Sequence, residues 1–148
     1  MSTKTQPKTS QPLLNTRILH TMIRVGDLDR SIQFYADAVG MRELRRETFP
    51  QGRFTLVFIG YGDEASNTVI ELTHNWDEGS YEHGTGYGHI ALAVDDIGLV
   101  CERLEAMGVK VLRTPGPMSF QANETSEREI IAFIEDPDGY QIELIQKA

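Results

Sequence analysis

Apolar positions along this chain change period in the same order twice, an alternating stretch giving way to a helical one and then to alternation again. The alternation from Ile18 to Val25 predicts a strand. Asp27 is then placed to cap a helix over 28–39 that Gly40 stops, with Leu28, Ile32, Tyr35 and Val39 as its apolar stripe. Strands are predicted over 43–47, 54–59 and 68–73. The second half repeats the order with a strand over 90–94, a cap at Asp95 or Asp96, and a helix over 97–107 stopped by Gly108. Ile97, Val100, Leu104 and Met107 line that helix, and strands are predicted over 110–114, 130–134 and 140–146. Asp136-Pro137-Asp138-Gly139 reads as a turn between the last two strands, with Pro second and Gly fourth. The pattern is β-α-β-β-β, twice, and it predicts an α+β fold of two similar modules, 18–75 and 88–146, within one domain spanning 18–148.

Potential metal ligands repeat with the elements. His20 and Glu71 in the first module recur as His89 and Glu143 in the second. His20 precedes Val25 by five residues and Asp27 by seven, and His89 stands in the same relation to Val94 and Asp96. Strand phase puts His20, Met22 and Arg24 on one side of the first strand, opposite Thr21, Ile23 and Val25. Glu71 lies opposite Ile70 and Leu72, His89 opposite Ile90, Leu92 and Val94, and Glu143 opposite Ile142 and Leu144. Apolar neighbours can therefore pack on the helices, leaving all four polar side chains on a shared concave sheet face.

Composition narrows the chemistry. The chain has 148 residues and a formal net charge of -8, which argues against a nucleic-acid backbone as partner. No apolar run is long enough for a membrane span. One cysteine, Cys101, excludes an internal disulfide or a thiolate cluster, and its helical position predicts buried packing. Residues 1–17 are polar, aperiodic and lack the apolar core of a secretory signal; they read as a disordered tail on a cytoplasmic protein.

Any transition metal must then rest on imidazole and carboxylate. Two glutamates drawn into one cleft raise a proton affinity or need a cation between them, and two neutral imidazoles supply no charge, which makes a divalent metal the economical solution. A His20, Glu71, His89, Glu143 set suits one divalent ion and leaves two octahedral positions for water or substrate. Such an ion can polarise a carbonyl while a glutamate removes the adjacent proton, as an isomerase requires. A hydrolase or oxygenase could use the same ligands, so the four residues leave the reaction class open.

The segments LHTMIRVGDLDRSIQFY, FIGYGDEASNTVIELTHNW, YGHIALAV and IAFIEDPDGYQIELI resemble the bacterial short form of glyoxalase I, the lactoylglutathione lyases of the vicinal oxygen chelate superfamily. The resemblance runs from about Arg17 to Gln146. It implies an intertwined homodimer in which His20 and Glu71 of one subunit join His89 and Glu143 of the other around the metal. It also implies isomerisation of the hemithioacetal of methylglyoxal and glutathione to S-D-lactoylglutathione, by metal-assisted proton transfer through an enediolate. Glu143 is then the principal base, with Glu71 a ligand that assists return of the proton. A histidine at the first ligand position and the lack of a long insertion before Glu71 resemble the nickel- or cobalt-activated subgroup, with zinc as the alternative.

Arg24 and Asn75 are expected by resemblance to hold the γ-glutamyl end of glutathione. The loop over 118–129 departs from the short bacterial pattern, being longer and lacking its Lys-Gly-Gly segment. Arg128 is the candidate replacement charge there, with Phe120 and Met118 as an apolar lid. His74 and His83 read as surface or interface residues, and Trp76 as packing at the substrate-side turn or dimer contact. That departure keeps a different thiol cosubstrate as an alternative. Others are another metal-dependent member of the superfamily, such as an epimerase or ring-cleavage dioxygenase, and a nonenzymatic small-molecule-binding protein.

Overall fold

A computed structural model describes residues 16–147. The segment expected as a tail lies outside the described residues up to Asn15, whereas Arg17 hydrogen-bonds the Ala65 carbonyl at 3.1 Å. The elements follow in the order β1 (His20–Arg24), α1 (Leu28–Asp37), β2 (Arg42–Phe49), β3 (Phe54–Gly60), β4 (Val69–Asn75), β5 (Ile90–Val94), α2 (Ile97–Ala106), β6 (Val111–Pro117), β7 (Ile130–Glu135) and β8 (Gln141–Gln146). This is the repeated β-α-β-β-β order. The two four-stranded sheets have matching topologies, β1-β4-β3-β2 and β5-β8-β7-β6. In each, the strand before the helix pairs in parallel with the last strand of its module, and the other pairs are antiparallel. The parallel pair needs a crossover, which the helix and two intervening strands supply.

Local chemistry sets the helix ends. Asp27 accepts a hydrogen bond from the Arg30 amide at 3.1 Å, and Asp96 does the same for Leu99 at 3.1 Å. Gly40 and Gly108 adopt φ of +75° and +84°, and the amides of Gly108 and Val109 return to the carbonyls of Glu105 and Leu104 as α2 ends. Both helices stop short of the sequence estimate, at Asp37 rather than Val39 and at Ala106 rather than Met107. Within α1, Leu28, Ser31 and Tyr35 are buried. Within α2 they are Ile97, Cys101 and Leu104, whereas Met107, expected in the stripe, is exposed beyond the last turn.

One core joins both modules, from Ile23, Val25 and Leu72 to Ile134, Ile142 and Leu144. Each of these alternates with a polar residue on the opposite sheet face, as strand phase requires. Between the modules runs a polar clamp. Gly139 donates to the Asp136 carbonyl at 3.0 Å, closing the turn, and Asp136 accepts the Tyr35 hydroxyl at 2.7 Å. Asp138 accepts the Gly26 amide at 2.9 Å and the Ser31 hydroxyl at 3.1 Å, so a β7–β8 turn of the second module reads the start of the first module's helix. Among the described residues, no helix is long and apolar enough to cross a membrane.

Candidate active site

Each sheet presents one His–Glu pair on its face away from the core. In the first, Met22 pairs with Glu71 across the parallel β1–β4 ladder, and His20 stands two residues earlier on the same side of β1. In the second, Ala91 pairs with Glu143, and His89 again stands two residues earlier. That diagonal relation across parallel strands brings imidazole and carboxylate together. His20 Nε2 lies 3.0 Å from Glu71 Oε1, and His89 Nε2 lies 3.1 Å from Glu143 Oε1. The histidines are 34% and 40% exposed and both glutamates 13%, leaving the pairs open to a ligand arriving over the sheet.

The supports repeat as well. Phe58, opposite Glu71 on β3, meets the His20 ring edge-on at 5.4 Å. Phe133, opposite Glu143 on β7, meets His89 in the same manner at 5.2 Å. These phenylalanines fix the imidazole planes, a role that sequence reasoning missed because apolar strand residues read simply as core. One hydrogen bond is unshared. The Thr73 hydroxyl donates to Glu71 Oε2 at 2.9 Å, while Ile145 occupies the matching position beyond Glu143. Both Glu71 oxygens are thus engaged, whereas among the described residues no hydrogen bond reaches Glu143 Oε2.

Within one chain the two pairs do not converge. Among the described residues, no group of three or more His, Cys, Asp or Glu side chains is close enough to hold a metal. Each pair offers two ligands of the right chemistry, one imidazole nitrogen and one carboxylate, half of what a divalent centre needs. The donor set therefore fits a metal only when one pair meets another.

The chain belongs to the Glyoxalase/Bleomycin resistance protein/Dioxygenase superfamily, whose family model matches residues 17–144.

Among glyoxalase relatives, a probable lactoylglutathione lyase of Synechocystis sp. is 57% identical over 129 residues, covering 87% of this chain and 94% of that protein. The lactoylglutathione lyase of Neisseria meningitidis serogroup A is 54% identical over 131 residues, covering 88% and 91%. Of solved structures, glyoxalase I of Zea mays superposes with a TM-score of 0.81 at 43% identity over 89% of this chain; the chain spans just under half, 45%, of the maize chain. The trypanothione-dependent glyoxalase I of Leishmania major superposes with a TM-score of 0.75 at 44% identity, covering 88% of this chain and 86% of that one.

The remaining predicted site residues are spread around these pairs. Arg24 follows His20 and Met22 on the open side of β1 and is exposed, with its carbonyl accepting the Tyr140 hydroxyl at 2.7 Å. Asn75 ends β4 and donates from Nδ2 to the Tyr81 hydroxyl at 3.1 Å. Met118, Phe120 and Arg128 line a separate cavity of about 520 Å³ with Ile130, Gln146 and Lys147; neither His89 nor Glu143 borders it. Phe120 is 85% exposed, and Arg128 donates to the Met118 carbonyl at 3.5 Å. His74 and His83 are half-buried and packed within the chain, His74 against the Val25 carbonyl at 3.2 Å and His83 stacked on Tyr140 at 4.1 Å. Trp76 donates to the Thr55 hydroxyl at 2.9 Å.

Proposed function

We propose that this enzyme is a lactoylglutathione lyase that converts the hemithioacetal of methylglyoxal and glutathione into S-D-lactoylglutathione. The observation that carries the reading is the duplicated His–Glu pair, in a chain that spans over nine-tenths of relatives bearing that name. Each chain supplies two half-sites, so a homodimer with His20 and Glu71 from one subunit facing His89 and Glu143 from the other completes a four-ligand centre. Exposed Leu19 and Met22 beside the first pair, and exposed Ala91 and Ala93 beside the second, are suited to covering by a partner.

His20, Glu71, His89 and Glu143 would hold one divalent ion, nickel or cobalt by preference and zinc as the alternative. When bound, that ion supplies Lewis-acid polarisation of the substrate's adjacent carbonyl and hydroxyl oxygens, making the C–H bond between sulfur and carbonyl acidic. Glu143 has the oxygen to accept that proton, because Oε2 is uncommitted. The proton leaves the carbon bearing sulfur and is delivered to the neighbouring carbon, while the hydroxyl proton passes to the former ketone oxygen, so that the hydroxyl oxygen becomes the thioester carbonyl and the ketone becomes the alcohol. Glu71, held on both oxygens, serves as ligand and assists the return. Arg24 and Asn75 orient the peptide end of the substrate.

The test is to strip the protein with a chelator, reconstitute it with nickel, cobalt or zinc, and follow thioester formation from methylglyoxal and glutathione. Turnover should vanish on stripping and return with metal. In reconstituted Glu143→Gln it should fall by about 10²- to 10⁴-fold. Near-normal turnover by that variant would overturn its assignment. A thiol other than glutathione is the second reading. It is favoured by the 118–129 loop, where Lys147 is paired with Glu129 and the Arg128 guanidinium turns back to the Met118 carbonyl.

A further inference from the structure

Each sheet carries an arginine in line with its His–Glu pair. On β2, Arg45 stands opposite Phe58, the ring that meets His20, and Phe58 in turn stands opposite Glu71 on β4. A break in register between Glu43 and Arg45 interrupts the β2–β3 ladder just before it, and such a bulge re-aims the side chain that follows. The Arg45 guanidinium lies over the Phe58 ring, its carbon 3.7 Å from the centroid. Arginine, phenylalanine, glutamate and histidine thus form one row across the four strands.

A cation beside a divalent ion repels it unless its charge is cancelled. Here two carboxylates cancel it. Arg45 donates from Nε to Glu64 Oε2 at 2.7 Å, and its Nη1 lies 2.9 Å from Glu47 Oε1. Arg45, Glu64 and Glu47 are 43%, 31% and 48% exposed, where ion pairs add little to stability. What the carboxylates supply is direction, because they grip the edge of the planar fork and leave its face to the ring.

The second sheet uses its arginine otherwise. Arg113 stands opposite Phe133, again just after a register shift, but its guanidinium donates to the carbonyls of Gly116, Ile131 and Pro117 at 3.1, 3.0 and 2.6 Å. Among the described residues no guanidinium covers Phe133. One imidazole is therefore braced through its phenylalanine, and the other is not.

We propose that Arg45 is a positioning residue of the first half-site, holding Phe58 and through it the His20 imidazole in the orientation that receives the metal. His20 is then the fixed imidazole of the centre and His89 the adaptable one. This rests on the four-ligand metal reading of the site.

The test titrates cobalt into the full-length wild type, Arg45→Met and Arg45→Lys in competition with a chelator, and records the hyperfine-shifted imidazole proton signals of the cobalt-loaded proteins. Thioester formation from methylglyoxal and glutathione is measured in the same preparations. Arg45→Met should bind cobalt about threefold to tenfold more weakly, and should move the His20 signals while those of His89 hold. Arg45→Lys keeps the charge without the plane and should recover part of both. Equal affinities, His20 signals that stay put, or His89 signals displaced as far as those of His20 would overturn the proposal. Cobalt binding in the predicted order without turnover would instead sink the lyase reading while supporting the assignment of Arg45. A wild type that takes up no cobalt would remove the metal reading and the proposal together.

Discussion

Thr73 separates two half-sites whose histidine, glutamate and supporting phenylalanine otherwise correspond. Its hydroxyl occupies Glu71 Oε2, and the aliphatic Ile145 at the equivalent position leaves Glu143 without such a restraint. Groups that orient a ligand commonly affect metal affinity by about 10- to 100-fold. Thr73→Val should weaken nickel binding by about tenfold in a chelator competition, and Thr73→Ser should preserve it. Equal affinities for the Val variant and wild type would make the hydroxyl a bystander. Asp136 gives a second residue-level expectation. Burial raises its pKa above the ordinary carboxylate value, opposed by hydrogen bonds from the Tyr35 hydroxyl and the amides of Tyr140 and Asp138. The Tyr35 hydroxyl therefore supports the ionised carboxylate. Tyr35→Phe should cost about 1.5–3 kcal/mol in urea unfolding above the raised pKa, where Asp136 is charged in the native state. Lowering the pH through that pKa protonates Asp136 and removes the charge the hydroxyl stabilises, so the penalty should shrink. A penalty that grows on acidification would contradict the assignment.

At the scale of elements, the β7–β8 turn does more than reverse the chain. Its Asp-Pro-Asp-Gly composition was legible as a turn, but its contacts with Gly26, Ser31 and Tyr35 were not, because they join residues more than 100 positions apart. Helix and strand identities were legible for a different reason: local capping residues and hydrophobic period act over a few positions. Ends moved where the last turn had no core to face, as at Met107. Gly26 also marks a close approach of the segment between modules. A Cβ there would lie 2.0 Å from the Gly79 carbonyl oxygen, so Gly26→Ala must push that segment away. Tyr81, which accepts the Asn75 amide, stands two residues beyond Gly79. Binding of S-methylglutathione should weaken several-fold in this variant, by about the effect of losing one neutral hydrogen bond such as that from Asn75 to Tyr81, with nickel affinity nearly preserved. Loss of metal alone would contradict this placement.

At the scale of the whole molecule, strand phase revealed which residues face away from the core but not how far apart the two sheets hold them. The chain places its His–Glu pairs in separate half-sites, and among the described residues no single-chain cluster completes a metal centre. On the reading proposed above, the pairs converge across an interface, information that hydrophobic period does not contain. The most direct test mixes His20→Ala and His89→Ala proteins under conditions that let subunits exchange, then measures lyase activity after metal reconstitution. Each variant alone should be inactive. In a mixed dimer one centre carries both lesions and the other carries none, so random exchange should restore about a quarter of wild-type sites. Restoration toward that level is the result predicted, while a mixture as inactive as its parents would contradict a centre shared between two chains.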